Sequence, residues 1–186
     1  MLENVSQTAM REAQLLERIR DGDNTAFTEI YTGHKQSVYL YCLRYLGENG
    51  AAEDVFQDVF LGFLQHARNG LQVSSICAYL IRSARNACLN RIRDRKATSD
   101  VYEMEEKLAD DHFEDDATDI DLSEALDRLP ELNREALVLR EYAGLTYEEI
   151  AEVSGLPTTT ICKRIYRARQ QLRRIVLQEK RRKQES

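Results

Sequence analysis

Apolar residues recur at three- and four-residue spacing along most of this chain, the period of an amphipathic α-helix. Leu15, Leu16 and Ile19 open the pattern, and Asp21-Gly22-Asp23 interrupts it. Phe27, Ile30 and Tyr31 resume it, followed by Val38, Tyr39, Cys42, Leu43 and Leu46, as far as a turn at Gly47–Gly50. Val55, Phe56, Val59, Phe60, Phe63 and Leu64 form a strongly apolar helical face that stops at Asn69-Gly70. From Ser75 the spacing predicts a long helix with Ile76, Tyr79, Leu80, Ala84, Ala87, Cys88 and Ile92 inward and arginines outward. The pattern lapses after Lys96. It returns with Leu122, Ala125, Leu126 and Leu129, then, beyond Pro130, with Leu132, Ala136, Leu137 and Leu139 towards Gly144.

The last helical pair, Leu145 to Leu172, has the clearest boundary signals. Thr146 is an N-cap, and Glu149 three residues on completes a capping box. Ile150, Ala151 and Val153 give this helix a buried side, and Gly155 can take the left-handed conformation that ends it. Pro157 suits the start of the next helix. There Ile161, Ile165, Ala168 and Leu172 face inward, while Lys163, Arg164, Tyr166, Arg167, Arg169, Arg173 and Arg174 occupy the rest. The pair reads as a helix-turn-helix whose second helix suits the DNA major groove. The alternative is a helical hairpin with a solvated basic face. The predicted fold class is all-α: two small helical domains joined by an acidic linker, the C-terminal one a four-helix domain with helix-turn-helix. The boundaries expected are 1–97, a linker at 98–121, 122–179, and a frayed basic tail at 180–186.

Composition agrees with this plan. Only 8 Gly and 2 Pro among 186 residues disfavour a turn-rich β fold. No apolar run approaches the roughly 20 residues of a membrane helix, and no signal-peptide core opens the chain, so a cytoplasmic protein without membrane insertion is expected. The four cysteines form no C-x-x-C pair and the three histidines are scattered, which gives no metal-site pattern. Cys42, Cys77 and Cys88 read as small core residues. No nucleophile–base pair or phosphate-cradling glycine loop is present, so neither catalysis nor a cofactor is expected.

A net charge of −6 sits oddly with a nucleic-acid-binding helix until its distribution is examined. Residues 157–186 carry ten bases against Glu179 and Glu185. Arg82, Arg85, Arg91, Arg93, Arg95 and Lys96 form a second basic stretch, opposed by Asp94. The acid is concentrated between them: residues 97–121 hold 11 Asp and Glu, and Lys107 is their only Lys or Arg. That stretch has too few apolar residues to offset its ordering entropy, although Met104–Ala109 could form a helical turn. Because screening limits a charge's reach to about 10 Å, local charge governs affinity for phosphates.

Two motifs, in order, resemble the extracytoplasmic-function (group IV) sigma factors of bacterial RNA polymerase. AAEDVFQDVFLGFL, residues 51–64, is similar to the family's polymerase-clamp-binding helix. LPELNREALVLREYAGLTYEEIAEVSGLPTTTICKRIYRARQQLR, residues 129–173, resembles its promoter-reading domain. The resemblance implies a promoter-specificity subunit that is not itself an enzyme. Its implied partners are core RNA polymerase (the β′ clamp coiled coil and the β flap), promoter DNA and an anti-sigma factor. Asp54, Gln57 and Asp58, at i, i+3 and i+4, form a polar strip that on the residues alone reads first as a solvated face and that also suits a basic partner helix. By resemblance this strip and Leu61 bind polymerase. The helix from Ser75 and the loop before it resemble the part that captures the melted −10 strand. Asn86 and Asn90 match family positions touching that strand, with Arg82, Arg85, Arg91 and Arg93 available to phosphates. Cys162, Lys163, Tyr166 and Arg167 align with positions facing the −35 element, and Thr158, Thr159, Thr160 and Arg164 with phosphate contacts or the helix start.

This chain departs from the family pattern at Leu64 and Tyr79, which stand where tryptophan is frequent. Thr159 replaces a common glycine, and Cys162 a polar or basic residue. On the residues alone, a stand-alone helix-turn-helix regulator is the alternative. Such proteins usually dimerise, and no dimerisation seam is evident.

Overall fold

The computed structural model describes residues 2–99 and 122–184. The acidic stretch 100–121, with its expected helical turn at Met104–Ala109, lies outside the described residues, as do residues 1, 185 and 186. Every regular element among the described residues is an α-helix: α1 Leu2–Arg20, α2 Asn24–Leu46, α3 Asn49–Arg68, α4 Ile76–Ser99, α5 Leu122–Asp127, α6 Glu131–Glu141, α7 Tyr147–Ser154 and α8 Thr158–Gln184. They fall into two compact units, α1–α4 and α5–α8. No helix among the described residues is long and apolar enough to cross a membrane.

In the first unit α2 packs along α3 and α4, and α1 lies on α2 and α3. The break at Asp21-Gly22-Asp23 is a cap. Asp23 Oδ1 accepts from Thr25 N at 2.8 Å, and its Oδ2 accepts from Arg18 Nη2 at 2.8 Å. These bonds to Thr25 and Arg18 hold the Asp23 carboxyl down at about 2. Gly47, at φ +67°, closes α2 by donating to Leu43 O.

The apolar stripes meet in a core that includes Ile19, Ile30, Val38, Val59, Phe63 and Leu80. Tyr41 and Ile81 are also fully buried, whereas Tyr79, Ala87 and Ile92 are half-buried. Because α4 touches both α2 and α3, its buried stripe widens around Leu80, Ile81, Ala84 and Cys88. Phe27, Tyr31, Tyr39, Phe56 and Phe60 form an aromatic seam between α2 and α3, with ring centroids 5.0 Å apart for Tyr31–Phe60 and for Phe56–Phe60. Cys42 and Cys88 are buried side by side. The hydrogen bond with Cys88, and then burial, push the Cys42 thiol far up, which keeps it protonated and unreactive.

In the second unit α5, α6 and α7 all pack on α8. Ile150, Ile161, Ile165 and Ala168 are at most 1% exposed. Two positions on α6 differ from the amphipathic reading. Leu132 is 54% exposed, at the first turn, while Glu135 is 7% exposed. From Glu135 to Leu139 the helix is enclosed by its neighbours on several sides, so even a polar residue there is covered.

The tail expected to fray is helical as far as Gln184. No Gly or Pro follows Thr158 to stop the helix. Arg128 clamps this end to α5, bonding Glu179 at 2.6 Å and Glu124 at 2.7 Å.

Two expected outcomes follow from the first unit. Gly62 lies inside α3, and a Cβ there meets nothing within 4 Å. Gly62→Ala should therefore stabilise the protein by about 0.5–1 kcal/mol in urea denaturation, through the lower backbone entropy of the unfolded chain. Asp23 has a folded pKa of about 2, below the ordinary 3.8, so its contribution is full above the ordinary value and is lost as pH falls through about 2. Thermal unfolding of Asp23→Ala should show a lower Tm than wild type near neutral pH. That gap should narrow as pH drops below about 4.

Candidate nucleic-acid and protein interfaces

The turn between α7 and α8 is built by the residues its sequence advertises. Thr146 N donates to Glu149 Oε2 at 2.8 Å, and Glu149 N donates back to Thr146 Oγ1 at 3.2 Å, a complete capping box. Gly155 adopts φ +67°, and Leu156 N returns to Ala151 O at 3.0 Å. Pro157 sits immediately before α8, where its carbonyl accepts from Thr160 N at 2.8 Å. Ile161, Ile165 and Ala168 anchor one side of α8 in the core. That anchoring leaves Thr159, Cys162, Lys163, Tyr166 and Arg167 exposed on the other side, with Thr158, Thr160 and Arg164 half-buried at its margins. Tyr166 is 65% exposed, unusual for an aromatic side chain.

Not every base on α8 belongs to this face. Arg169 pairs with Glu141 of α6 at 2.5 Å, and that bond raises its pKa further. Lys163, Arg164 and Arg167 instead line a cleft of about 540 Å³ between α8 and the start of α6, together with Pro130, Glu131, Leu132, Asn133 and Thr160. Exposed Leu132 belongs to this cleft, a placement that the helical period alone did not reveal.

On α4, Arg82, Asn86, Asn90 and Arg93 are exposed, with Arg85 half-buried beside them. At 100° per residue, 82, 86, 90 and 93 fall within one narrow stripe. Arg93 Nη2 donates to Asn90 Oδ1 at 3.1 Å, which orients that amide. The start of α4 is doubly capped. Glu12 Oε2 of α1 accepts from Ile76 N at 3.0 Å, and Ser75 Oγ accepts from Ala78 N at 3.2 Å. Behind the stripe, Tyr79 Oη lies 2.6 Å from His66 Nδ1, and the Arg82 guanidinium carbon lies 6.0 Å from the Tyr79 ring centroid. His66 carried no sequence signal for this role, because its partner lies on another helix.

On α3, Asp54, Gln57, Asp58 and Leu61 are all exposed, at i, i+3, i+4 and i+7, opposite the buried Val55, Val59 and Phe63. Leu61 is 59% exposed, an apolar side chain set into an otherwise polar strip. The strip also touches α4, where Arg91 Nη2 lies 3.1 Å from Asp54 Oδ2, and further along α4 Arg95 lies 3.5 Å from Glu48, the residue before α3. Arg91, read from the sequence as a phosphate ligand, is thus shared with the acidic strip. Both Arg91 and Asp54 are more than half exposed, so this ion pair adds little stability.

The first unit and the helix-turn-helix unit match two different family descriptions. Residues 30–98 match Sigma-70 region 2, and residues 119–172 match Sigma-70, region 4. The chain is 30% identical over 178 residues to the RNA polymerase sigma-H factor of Pseudomonas aeruginosa, covering 88% of this chain and 92% of that protein. It is 31% identical over 175 residues to the ECF RNA polymerase sigma-E factor of Escherichia coli, covering 84% and 89%. Among solved structures, the sigma factor RpoE in complex with the anti-sigma factor NepR from Bartonella quintana superposes with a TM-score of 0.72. That likeness covers 81% of this chain and 96% of the other at 24% identity, and so speaks to the fold. CnrH, solved with the cytosolic domain of CnrY, gives a TM-score of 0.65 at 20% identity, covering 89% and 97%.

Proposed function

The chain belongs to the sigma-70 family as an extracytoplasmic-function RNA polymerase sigma factor, and on that premise we propose how its exposed faces divide the work of transcription initiation. The observation that carries the reading is the division of each helix. α3, α4 and α8 each bury an apolar stripe and present polar and basic residues on the other side, residue types that suit a polymerase and DNA.

Asp54, Gln57 and Asp58 dock on the basic β′ clamp coiled coil, with Leu61 filling an apolar contact in the same strip. Exposed carboxylates and an amide serve a basic helix through charge-assisted hydrogen bonds, and an isolated exposed leucine gains by being covered. Asn86 and Asn90, carrying both donors and acceptors, read base edges of the melted −10 strand, while Arg82, Arg85 and Arg93 hold its phosphates. A single strand, unlike a duplex, offers those edges without a groove. In the second unit Lys163 and Arg167, at i and i+4, enter the −35 major groove beside Cys162 and Tyr166. Thr158, Thr159, Thr160 and Arg164 fix the register on the backbone.

The domain boundaries proposed for these tasks are 1–97, 98–121, 122–179 and 180–186, with the acidic segment threading polymerase and the second unit meeting the β flap. The sigma factor supplies recognition; polymerase performs the chemistry. An anti-sigma factor that covers the polymerase-binding faces is the proposed regulator, by analogy with the complex solved for RpoE and the anti-sigma factor NepR.

Run-off transcription with core polymerase, on the promoter region upstream of its own gene, tests the reading. Initiation should depend on this protein and should fall at least tenfold in Asp54→Ala/Asp58→Ala with duplex recognition unaltered. Activity that survives those changes would reject the docking strip. Specific duplex binding without any polymerase binding would favour a stand-alone regulator. Within the recognition helix, Arg167→Ala should relax discrimination at one −35 base pair by about 1–3 kcal/mol. Arg164→Ala should instead weaken binding alike across sequences and lower the salt dependence, as a lost phosphate contact does. Quantitative binding of holoenzyme to single-base promoter variants separates the two effects.

A further inference from the structure

Resting on the reading of α4 as the strand-capturing helix, we propose that His66 is a positioning residue: it locks the segment 69–75 and the Tyr79 ring together, so that Tyr79 and Arg82 form a fixed platform for a base of the captured strand. Three parts of the first unit converge on this side chain and its backbone. His66 is in the last turn of α3, and its carbonyl accepts from Asn69 N at 3.1 Å and from Leu71 N at 3.0 Å. Gly70, at φ +85°, permits the reversal between those two bonds. The imidazole Nδ1 reaches Tyr79 Oη at 2.6 Å, on the first turn of α4. The backbone of this residue therefore holds Asn69 and Leu71, as any residue's carbonyl would there, and its side chain alone adds the tie to the start of α4.

Two further side chains, Phe63 and Arg82, lie against the Tyr79 ring. Buried Phe63 lies 5.9 Å away, and the His66 ring meets it edge-on at 86°. Arg82, almost one turn further along α4, has its guanidinium carbon 6.0 Å from the ring centroid. A half-buried aromatic ring with an arginine beside it, next to the Asn86–Asn90 stripe, is the kind of surface on which unpaired bases stack. The His66–Tyr79 bond is exposed. Water competes for both groups, so the bond contributes little to stability. What it constrains is orientation: a phenol tethered at its hydroxyl cannot swing out of the plane that the strand must meet. Whether Nδ1 accepts or donates depends on the tautomer, and either arrangement tethers the ring.

The test uses the holoenzyme, reconstituted from this chain and core polymerase, and a fluorescein-labelled single strand that the wild-type holoenzyme has selected from a randomised pool. His66→Ala and Tyr79→Phe should each weaken strand binding by about three- to tenfold. The double variant should be no weaker than either single variant, since the two changes remove one bond. His66→Asn, which places an amide atom near the position of Nδ1, should stay within about twofold of wild type. Core-polymerase affinity and Tm should not move. Additive losses, or undiminished binding in both single variants, would overturn the proposal. Arg82→Ala and Asn90→Ala report on the underlying reading. If they weaken strand binding while the His66 variants do not, only the positioning role falls. If they too leave binding unchanged, the strand lies elsewhere and both readings fall.

Discussion

Burial of an apolar stripe on each helix that carries an exposed polar face is the constraint on which the rest of this protein depends. Ile161, Ile165 and Ala168 on α8, and Leu80, Ile81, Ala84 and Cys88 on α4, are at most 1% exposed. Each large aliphatic side chain so buried is worth about 1.5–3 kcal/mol. Rotating either helix by a quarter turn would expose several of them at once, a cost that no surface interaction could offset. The direction of the polar faces is therefore set by the core and not by the groups that do the binding. Lys163 and Arg167 stand outward because Ile161 and Ile165 stand inward.

Charge is distributed by a second rule, that cations near a fold's own acids are spent on the fold. Arg128 bridges Glu124 and Glu179, and Arg169 bonds Glu141. Each of these arginines joins α8 to another helix, and neither lies on the face that carries Lys163 and Arg167. Such exposed pairs add little stability individually, but they decide which bases remain available to phosphates. The ion pair of Arg91 with Asp54 is a special case, because it spans the strip assigned to polymerase and the helix assigned to the strand. The exposed face of α3 and that of α4 are thereby in physical contact through a solvent-exposed pair.

Exposed apolar groups mark the places where this economy of burial is relaxed. Leu61 lies in the polar strip of α3, Leu132 lines the cleft beside the recognition helix, and Tyr166 stands on that helix itself. Scattered singly, such residues need no explanation. These three fall on faces already distinguished by their polar neighbours, whereas Met10, Leu122 and Leu177 are exposed elsewhere.

Local order was legible in the amino-acid sequence. The helical period, the break at Asp21-Gly22-Asp23, the Thr146–Glu149 capping box and the left-handed Gly155 all depend on residues within a few positions of one another. Periodicity and capping are properties of that range. The two family motifs were legible for the same reason, being contiguous. What only the tertiary structure decided is how side chains far apart in the chain meet: Glu12 on the N-terminus of α4, His66 on Tyr79, Arg91 on Asp54, and Arg128 on Glu179. It also decided that Leu132 faces outward while Glu135 is covered, because a helix enclosed on several sides has no single apolar stripe to read. The sequence determined which helices form and which face of most of them is buried, since both follow from spacing along one helix. The partners of each polar side chain were left to packing, since they depend on distances between helices that no local pattern encodes.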